Sequence, residues 1–410
     1  MLWLDNPAHA RWLEHHTDGL LAFGPHAAAA PGGSPWLDVN GEPDRTKPVE
    51  LWITSRMTHV YALGAALGRP GCAEIVDHGI RAMSTAFADR TYGGWYASVT
   101  WDGEGLDVTK QAYAHAFVIL AASSATVVGR PGATELLRSA LAVAEQHFWD
   151  DEAGMSVEGW DAAFTMPDPY RGANANMHTV EAYLAAADVT GDAIWRERAV
   201  RILTRIIDVE ARAAEWRVPE HFDAAWHQVP DYNASRPDDR FRPFGATPGH
   251  GMEWSRLLLE ARAALHDDAP TWMLDAAIGL FDRAVADGWF EGGQPGFCYT
   301  TDFDGNAVVR ARLHWVLAEA LGAAATAYRA TGESTYATWY ETWWEYAARY
   351  VIDRERGSWH HELTPEGEPS FTMWPGKPDI YHAIQATLIP RLPLTPTLVP
   401  ALARGLLDVR

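Results

Sequence analysis

Four segments of this 410-residue chain set polar or aromatic side chains three or four positions apart just after a Gly- or Pro-containing loop. The pairs are Asn174 with His178, His250 with Glu253, Trp315 with Glu319, and Asp379 with His382. On a helix such spacing puts both members on one face. Two of the pairs join an imidazole to a carboxylate. Imidazole titrates near pH ~6.5, so it can take and return a proton around neutrality. A carboxylate beside it can fix which ring nitrogen carries the hydrogen. Reversible proton transfer is the chemistry these residues suit.

Each pair also has a structural explanation, as a helix cap or part of a buried hydrogen-bond network. For an isolated histidine that explanation is the commoner one, and His59, His115, His221 and His314 are read this way. His178, His250 and His382 could together form a three-histidine metal site, but none of them stands at the close spacing of a helical HExxH. Nucleophilic catalysis has weaker support: the chain lacks a Gly-x-Ser-x-Gly elbow, and neither Cys72 nor Cys298 lies near a candidate base in sequence. Phosphate-cradling glycine motifs are also missing from the sequence.

These residues need helices to position them. Apolar residues recur at helical spacing over 51–67, 113–128, 135–148, 180–189 and 195–207, and again over 252–265, 272–285, 313–328, 336–351 and 380–389. Short segments rich in Gly and aromatics separate them, at Gly93–Tyr96, Gly154–Val157, Trp216–Pro219, Gly296–Tyr299 and Gly357–His360, and read as tight turns or minimal hairpins. Most recur at intervals of roughly 60 residues, the length of two helices with their connections. The expected fold is all-α: an (α/α)6 barrel, or toroid, with short β-hairpins in the connecting loops. A barrel needs no special end caps, whereas an open solenoid does. With no long linker in the chain, a single catalytic domain over residues 1–410 is expected.

Composition narrows the partners. Acidic residues number 54 against 33 Lys and Arg, for a formal charge of -21, which disfavours nucleic acid and anionic membranes. The 20 Trp, 14 Tyr and 13 Phe exceed what packing alone requires and suit sugar-binding surfaces. Two cysteines far apart fit a reducing compartment, and the first residues lack a signal-peptide pattern, so a cytoplasmic location is expected. Homo-oligomer formation is left open.

With these residues in view, the chain resembles the N-acylglucosamine 2-epimerase superfamily, in particular its bacterial aldose–ketose isomerase branch of mannose and sulfoquinovose isomerases. The runs that carry the resemblance are Leu51–Met57, Tyr92–Ala97, Arg171–His178, Arg240–Gly245, Thr247–His250 and Asp379–His382. They span most of the chain and are specific in combination. The resemblance implies a closed (α/α)6 barrel, no metal, no redox cofactor and a small monosaccharide substrate. By matching motif it also implies a catalytic set of His250, His382, Arg56, His178 and Glu253, and a substrate-binding set of Tyr113, Asn174, Arg240, Trp315, Glu319 and Asp379.

Within that set, His250 is expected to open the sugar ring and His382 to move a proton between C2 and C1 through a cis-enediolate. Arg56, with His178 and Asn174, would stabilise the enediolate charge. Glu253 and Asp379 would orient the neighbouring histidines or bind hydroxyls, Trp315 would pack on a sugar face, and Arg240 and Glu319 would fix the remaining hydroxyls. In sulfoquinovose-type members, amide side chains are expected where this chain has His361 and Pro378. That difference favours D-mannose to D-fructose isomerisation, with D-lyxose as a further substrate giving D-xylulose. Sulfoquinovose isomerisation and sugar 2-epimerisation (mannose/glucose, N-acylglucosamine or cellobiose type) are the alternatives. In other classes, an inverting glycosidase could use Glu253 and Asp379, and a sugar-binding module would not need both histidines.

Overall fold

The computed structural model describes residues 2–290 and 294–409. Among them are thirteen α-helices: α1 (Pro7–Phe23), α2 (Leu51–Ala66), α3 (Cys72–Ser84), α4 (Ala112–Val127), α5 (Ala133–Val143), α6 (Ala173–Thr190), α7 (Ala193–Leu203), α8 (Pro248–Leu265), α9 (Trp272–Gly288), α10 (His314–Thr331), α11 (Ser334–Tyr346), α12 (Tyr381–Leu388) and α13 (Leu398–Ala403).

The even-numbered helices α2 to α12 form a closed inner ring, each packing on the next and α12 returning to α2. Outer partners α3, α5, α7, α9 and α11 pack on the inner helices before them, and α1 supplies the sixth by packing on α12. This is the expected (α/α)6 barrel. The N-terminal helix closes it, which the sequence periodicity did not reveal.

Burial explains which helix goes where. Every residue of α2 from Leu51 to Gly64 is buried, and α4 is buried almost all round, its Ala and Ser side chains letting neighbours approach closely. Outer helices bury only one stripe; in α3 it is Cys72, Val76, Gly79, Ile80, Ala82 and Met83. Both α6 and α10 stop at a left-handed glycine, Gly191 and Gly332.

The expected boundaries shift in two ways. Three outer helices switch to wider i→i+5 turns before they end, at Ala144–Phe148, Thr204–Ala211 and Ala347–Val351, so the periodicity read through them as uninterrupted helix. Helix α6 starts at Ala173 and α8 at Pro248, earlier than their apolar periodicity, because their first turns carry polar side chains instead.

Of the expected hairpins, Met155–Ser156 pairs with Trp149–Asp150 and Gly296–Phe297 with Trp289–Phe290, while Trp95 and Trp359 make single bridges to Ala88 and Ile352. The segment Trp216–Pro219 is no hairpin: Glu215 and Trp216 both have positive φ, and the chain turns out of α7's extension there.

A second set of short strands positions the site. Val49–Glu50, Lys110–Gln111, Arg171–Gly172 and Arg312–Leu313 lead directly into α2, α4, α6 and α10. Each pairs with a strand from further along the chain, such as Arg171–Gly172 with His221–Phe222 and Arg312–Leu313 with Glu362–Leu363. The inner helices thereby present their N-terminal turns at one end of the ring. No helix among the described residues is long and apolar enough to cross a membrane.

Candidate active site

A cavity opens at that end of the ring. Of the expected residues, Arg56, Tyr113, Asn174, His178, Arg240, His250, Glu253, Trp315, Asp379 and His382 all line it, and Glu319 does not. They come from the first two turns of the inner helices and from the loops between, so positions more than 300 residues apart in sequence converge. Helix N-termini carry partial positive charge, so this end of the ring favours negative charge developing on a bound sugar.

The two principal histidines share one arrangement. His250 Nδ1 lies 2.8 Å from Glu220 Oε1, and His382 Nδ1 lies 2.8 Å from Glu319 Oε1. A carboxylate only accepts, so both Nδ1 atoms donate, and neither Nε2 has a hydrogen-bond partner among the described residues. Burial, together with the nearby Arg56 charge, pushes His382 well below the usual imidazole range and keeps it neutral. The Trp315 ring neighbours both, 5.2 Å from the His250 ring and 5.9 Å from that of His382.

This geometry selects between the expected roles of Glu253 and Asp379 and corrects that of Glu319. Glu253 does not orient His250. It sits on the cavity floor, 3.7 Å from His178 Nδ1 and 3.6 Å from Arg256 Nη2, and burial beside the Glu319 charge raises it well above the carboxylate range. Asp379 does not orient His382. It accepts the backbone N–H of Tyr381 at 2.9 Å and pairs with Arg56 at 3.5 Å. Glu319 lies behind His382, not against the cavity, and accepts from Arg256 Nε at 3.0 Å. Spacing along a helix told which residues share a face but not which carboxylate another helix would bring closer.

Glu220 is the residue that sequence reasoning missed. Pairing of Arg171–Gly172 with His221–Phe222, and the bond from Ala173 N–H to the Glu220 carbonyl, place it beside α8. The only local signal was a carboxylate following the Trp216–Pro219 turn.

Arg56 donates to the Tyr113 hydroxyl at 2.8 Å, and its guanidinium lies over the Phe117 and Tyr381 rings at 4.4 and 4.8 Å. This aromatic collar fixes a cation at the cavity wall. His178 is wedged between Tyr113 and Phe117, and burial lowers it to about 4, so it acts there as a neutral imidazole. Phe241 and Trp374 complete the apolar rim, with Arg240 over the Trp374 ring at 5.7 Å.

Gly249 has a steric purpose: a Cβ there would stand 2.4 Å from the Trp315 ring. The glycine lets α8 and Trp315 come together beside His250.

His59, His115 and His221 are held in structural bonds, to Ser124, to the Gln111 carbonyl and to the Pro243 carbonyl. His314, expected to be structural like them, instead lines the cavity. The three-histidine metal set does not assemble. Among the described residues, the donor atoms that do cluster belong to His178, Glu181 and Glu253, and to Glu253, Glu319 and His382. Arg256 already supplies positive charge to both groups, pairing with Glu253 and Glu319.

An inner ring of six helices with two histidine–carboxylate pairs on one cavity defines an (α/α)6-barrel protein built for proton transfer. Comparison with known proteins narrows this. The N-acylglucosamine 2-epimerase family model matches residues 32–386, and the chain belongs to that family. A D-mannose isomerase of Thermobifida fusca is 49% identical over 98% of this chain and 99% of its own length. One from Pseudomonas cannabina pv. alisalensis is 47% identical over 98% of this chain and 97% of its own. A crystal structure of a D-mannose isomerase superposes with a TM-score of 0.85 at 29% identity, covering 93% of this chain and 98% of that one.

Proposed function

We propose that the protein is an aldose–ketose isomerase that interconverts D-mannose and D-fructose, and also accepts D-lyxose. The observation that carries this is the pair of histidines on one cavity, each with Nδ1 held by a buried carboxylate and Nε2 free. The near full-length similarity to two D-mannose isomerases supports the substrate.

In this account His250 Nε2 takes the anomeric hydroxyl proton and returns a proton to the ring oxygen, which opens the pyranose. His382 Nε2 then removes the proton from C2. The electron pair moves into a C1–C2 double bond, leaving a cis-enediolate with negative charge on O1. Arg56, Asn174 and His178 surround that charge. His382 returns its proton to C1 as the O2 hydroxyl proton passes to O1, giving the ketose. Trp315 offers a flat apolar face to the sugar, and Arg240 and Asp379 bind hydroxyls.

Helices of the ring are drawn from Pro7 through Leu388, which supports treating the chain as one catalytic domain. The two unpaired, buried cysteines, Cys72 and Cys298, support a cytoplasmic location. Incubation with D-mannose and chromatography of the products tests the assignment. Fructose is expected; unchanged mannose, or glucose alone, contradicts it.

A further inference from the structure

Four glutamates surround one arginine beneath the cavity floor. Arg256 is 1% exposed, and Glu181 on α6, Glu253 and Glu260 on α8 and Glu319 on α10 are all buried around it. Ionised carboxylates are costly to bury without a cation or hydrogen bonds, so four such groups about one central cation cannot all stay ionised. The choice matters most at Glu319. Only an ionised Glu319 must accept from Nδ1 of His382. A protonated Glu319 can donate to Nδ1 instead, which moves the ring hydrogen to Nε2 and removes the base.

Arg256 does not treat its neighbours alike. Its Nε donates to Glu319 Oε2 at 3.0 Å, and its Nη1 lies 3.1 Å from each oxygen of Glu260. Glu253 receives no such bond: its Oε1 lies 3.6 Å from Nη2, and both atoms are buried without a hydrogen-bond partner among the described residues. Yet donor atoms of Glu253, Glu319 and His382 all lie within 4.8 Å of one another. Two carboxyls that close resist double ionisation, and the one accepting a charge-assisted hydrogen bond keeps the negative charge. That one is Glu319, and the proton falls to Glu253. Burial raises Glu319, but the charge and hydrogen bond of Arg256 oppose the rise, whereas burial and the Glu319 charge raise Glu253 well above the carboxylate range.

The other titratable and charged groups facing this cluster are His178 and Glu181 on α6, Arg56 on α2, and Tyr381 and His382 on α12. Glu181 has further partners in His178 and Tyr381. Helix α10 is shaped to admit the arginine: a Cβ at Gly322 would stand 3.2 Å from Arg256 Cδ.

We propose that Arg256 is a positioning residue for the isomerisation: by bonding Glu319 and not Glu253, it keeps the Glu319 carboxylate ionised, which holds the His382 hydrogen on Nδ1 and leaves Nε2 as the base. The proposal rests on the isomerase function above and deepens it. Arg256 does not line the cavity, so it acts only through Glu319.

Removing Arg256 alone would strand Glu260, so the test removes both charges together, a replacement that buried ion pairs often tolerate. The pH dependence of kcat for D-mannose is compared in wild type, Glu260→Gln and Glu260→Gln/Arg256→Gln, with circular dichroism to verify folding. Glu260→Gln is expected to stay within a few-fold of wild type. The double variant is expected to lose about 10- to 100-fold in kcat at pH 7. Its acid limb should move up by about 1–3 pH units, the usual effect of losing a cation beside a carboxyl, with activity returning at alkaline pH. In a Glu319→Gln background the same two changes should alter kcat by no more than a few-fold and leave the acid limb in place, because no carboxyl remains there to protonate. An unmoved acid limb in the double variant, or its full loss repeated in the Glu319→Gln background, would overturn the proposal. A double variant that does not fold would also overturn it, by assigning Arg256 to the scaffold. Failure of wild type to convert D-mannose would instead overturn the isomerase function itself, so the two failures are distinct.

Discussion

Nδ1 of His382 lies 2.8 Å from Oε1 of Glu319, and the other oxygen of that carboxylate accepts Nε of Arg256 at 3.0 Å. The carboxylate is thus held from behind by one buried cation while it holds the imidazole in front. His250 meets Glu220 at the same distance, but Glu220 arrives on a strand pairing from a different part of the ring. Two independent supports therefore produce one chemical result, an imidazole with a free Nε2 on the cavity.

If those carboxylates fix the tautomers, Glu220→Gln and Glu319→Gln should each lower kcat by about 10²- to 10⁴-fold, the usual worth of a positioned acid/base group. KM should change far less. Steady-state kinetics, with circular dichroism to verify folding, is the check. A kcat within a few-fold of wild type for either variant argues against the positioning role.

Gly249→Ala should disturb the sugar platform, since the added methyl would meet the Trp315 ring at 2.4 Å. Overpacking of this kind costs about 1–3 kcal/mol. The expected signs are a lower melting temperature and a raised KM for mannose, with smaller effects in a Gly249→Ala/Trp315→Phe double variant, where the ring has room to shift. Equal damage in the single and double variants contradicts the steric explanation.

Two buried glutamates on the barrel axis should respond oppositely to amide substitution. Burial would raise Glu181, but His178, Arg256 and Tyr381 hold it ionised and bring it well below the carboxylate range. Burial beside the charge of Glu319 instead keeps Glu253 protonated. Glu181→Gln should therefore cost about 3–5 kcal/mol, and Glu253→Gln less than about 1 kcal/mol because a neutral group replaces a neutral group. Urea denaturation at pH 7 measures both. Equal costs contradict the assigned charge states.

Stability should fall as the medium is acidified through the histidine range. Burial holds His9, His16, His59, His178 and His314 at about 4 and His115 at about 3. Unfolded histidine titrates near ~6.5, so each contributes stability that is fully present above that value and is lost as pH falls towards 4. Burial raises Glu50, Glu158 and Glu260 to about 7, and their contribution runs the other way, present below ~4.5 and lost by 7. The histidines are more numerous, so a melting temperature that declines between pH 7 and 5 is expected. A flat or rising profile contradicts it.

Much of this site was legible in the sequence because its residues sit on regular helix faces. His250 and Glu253, or Asp379 and His382, share a face by spacing alone, and the structure puts all four on one cavity. What spacing could not show was the partner arriving from another element. Glu220 lies 30 residues before His250 in an irregular segment with no period to mark it, and Glu319 and His382 meet from different inner helices, 63 residues apart. The same limit affected His314. It looked like any core histidine until the pairing of Arg312–Leu313 with Glu362–Leu363 set it against His361 at the cavity wall. Fold class followed from apolar periodicity, but ring closure depended on α12 returning to α2, with α1 packing on α12 as the sixth outer helix, across nearly the whole chain.

The central claim is that His382 moves a proton between C2 and C1 of mannose while His250 opens its ring. Proton NMR of D-mannose incubated with the protein in D2O tests it most directly. The account predicts D-fructose carrying deuterium at C1, from exchange of the abstracted proton with solvent, and no such product from His382→Ala. Mannose left unlabelled and unconverted, or the same labelled fructose from His382→Ala, would contradict it.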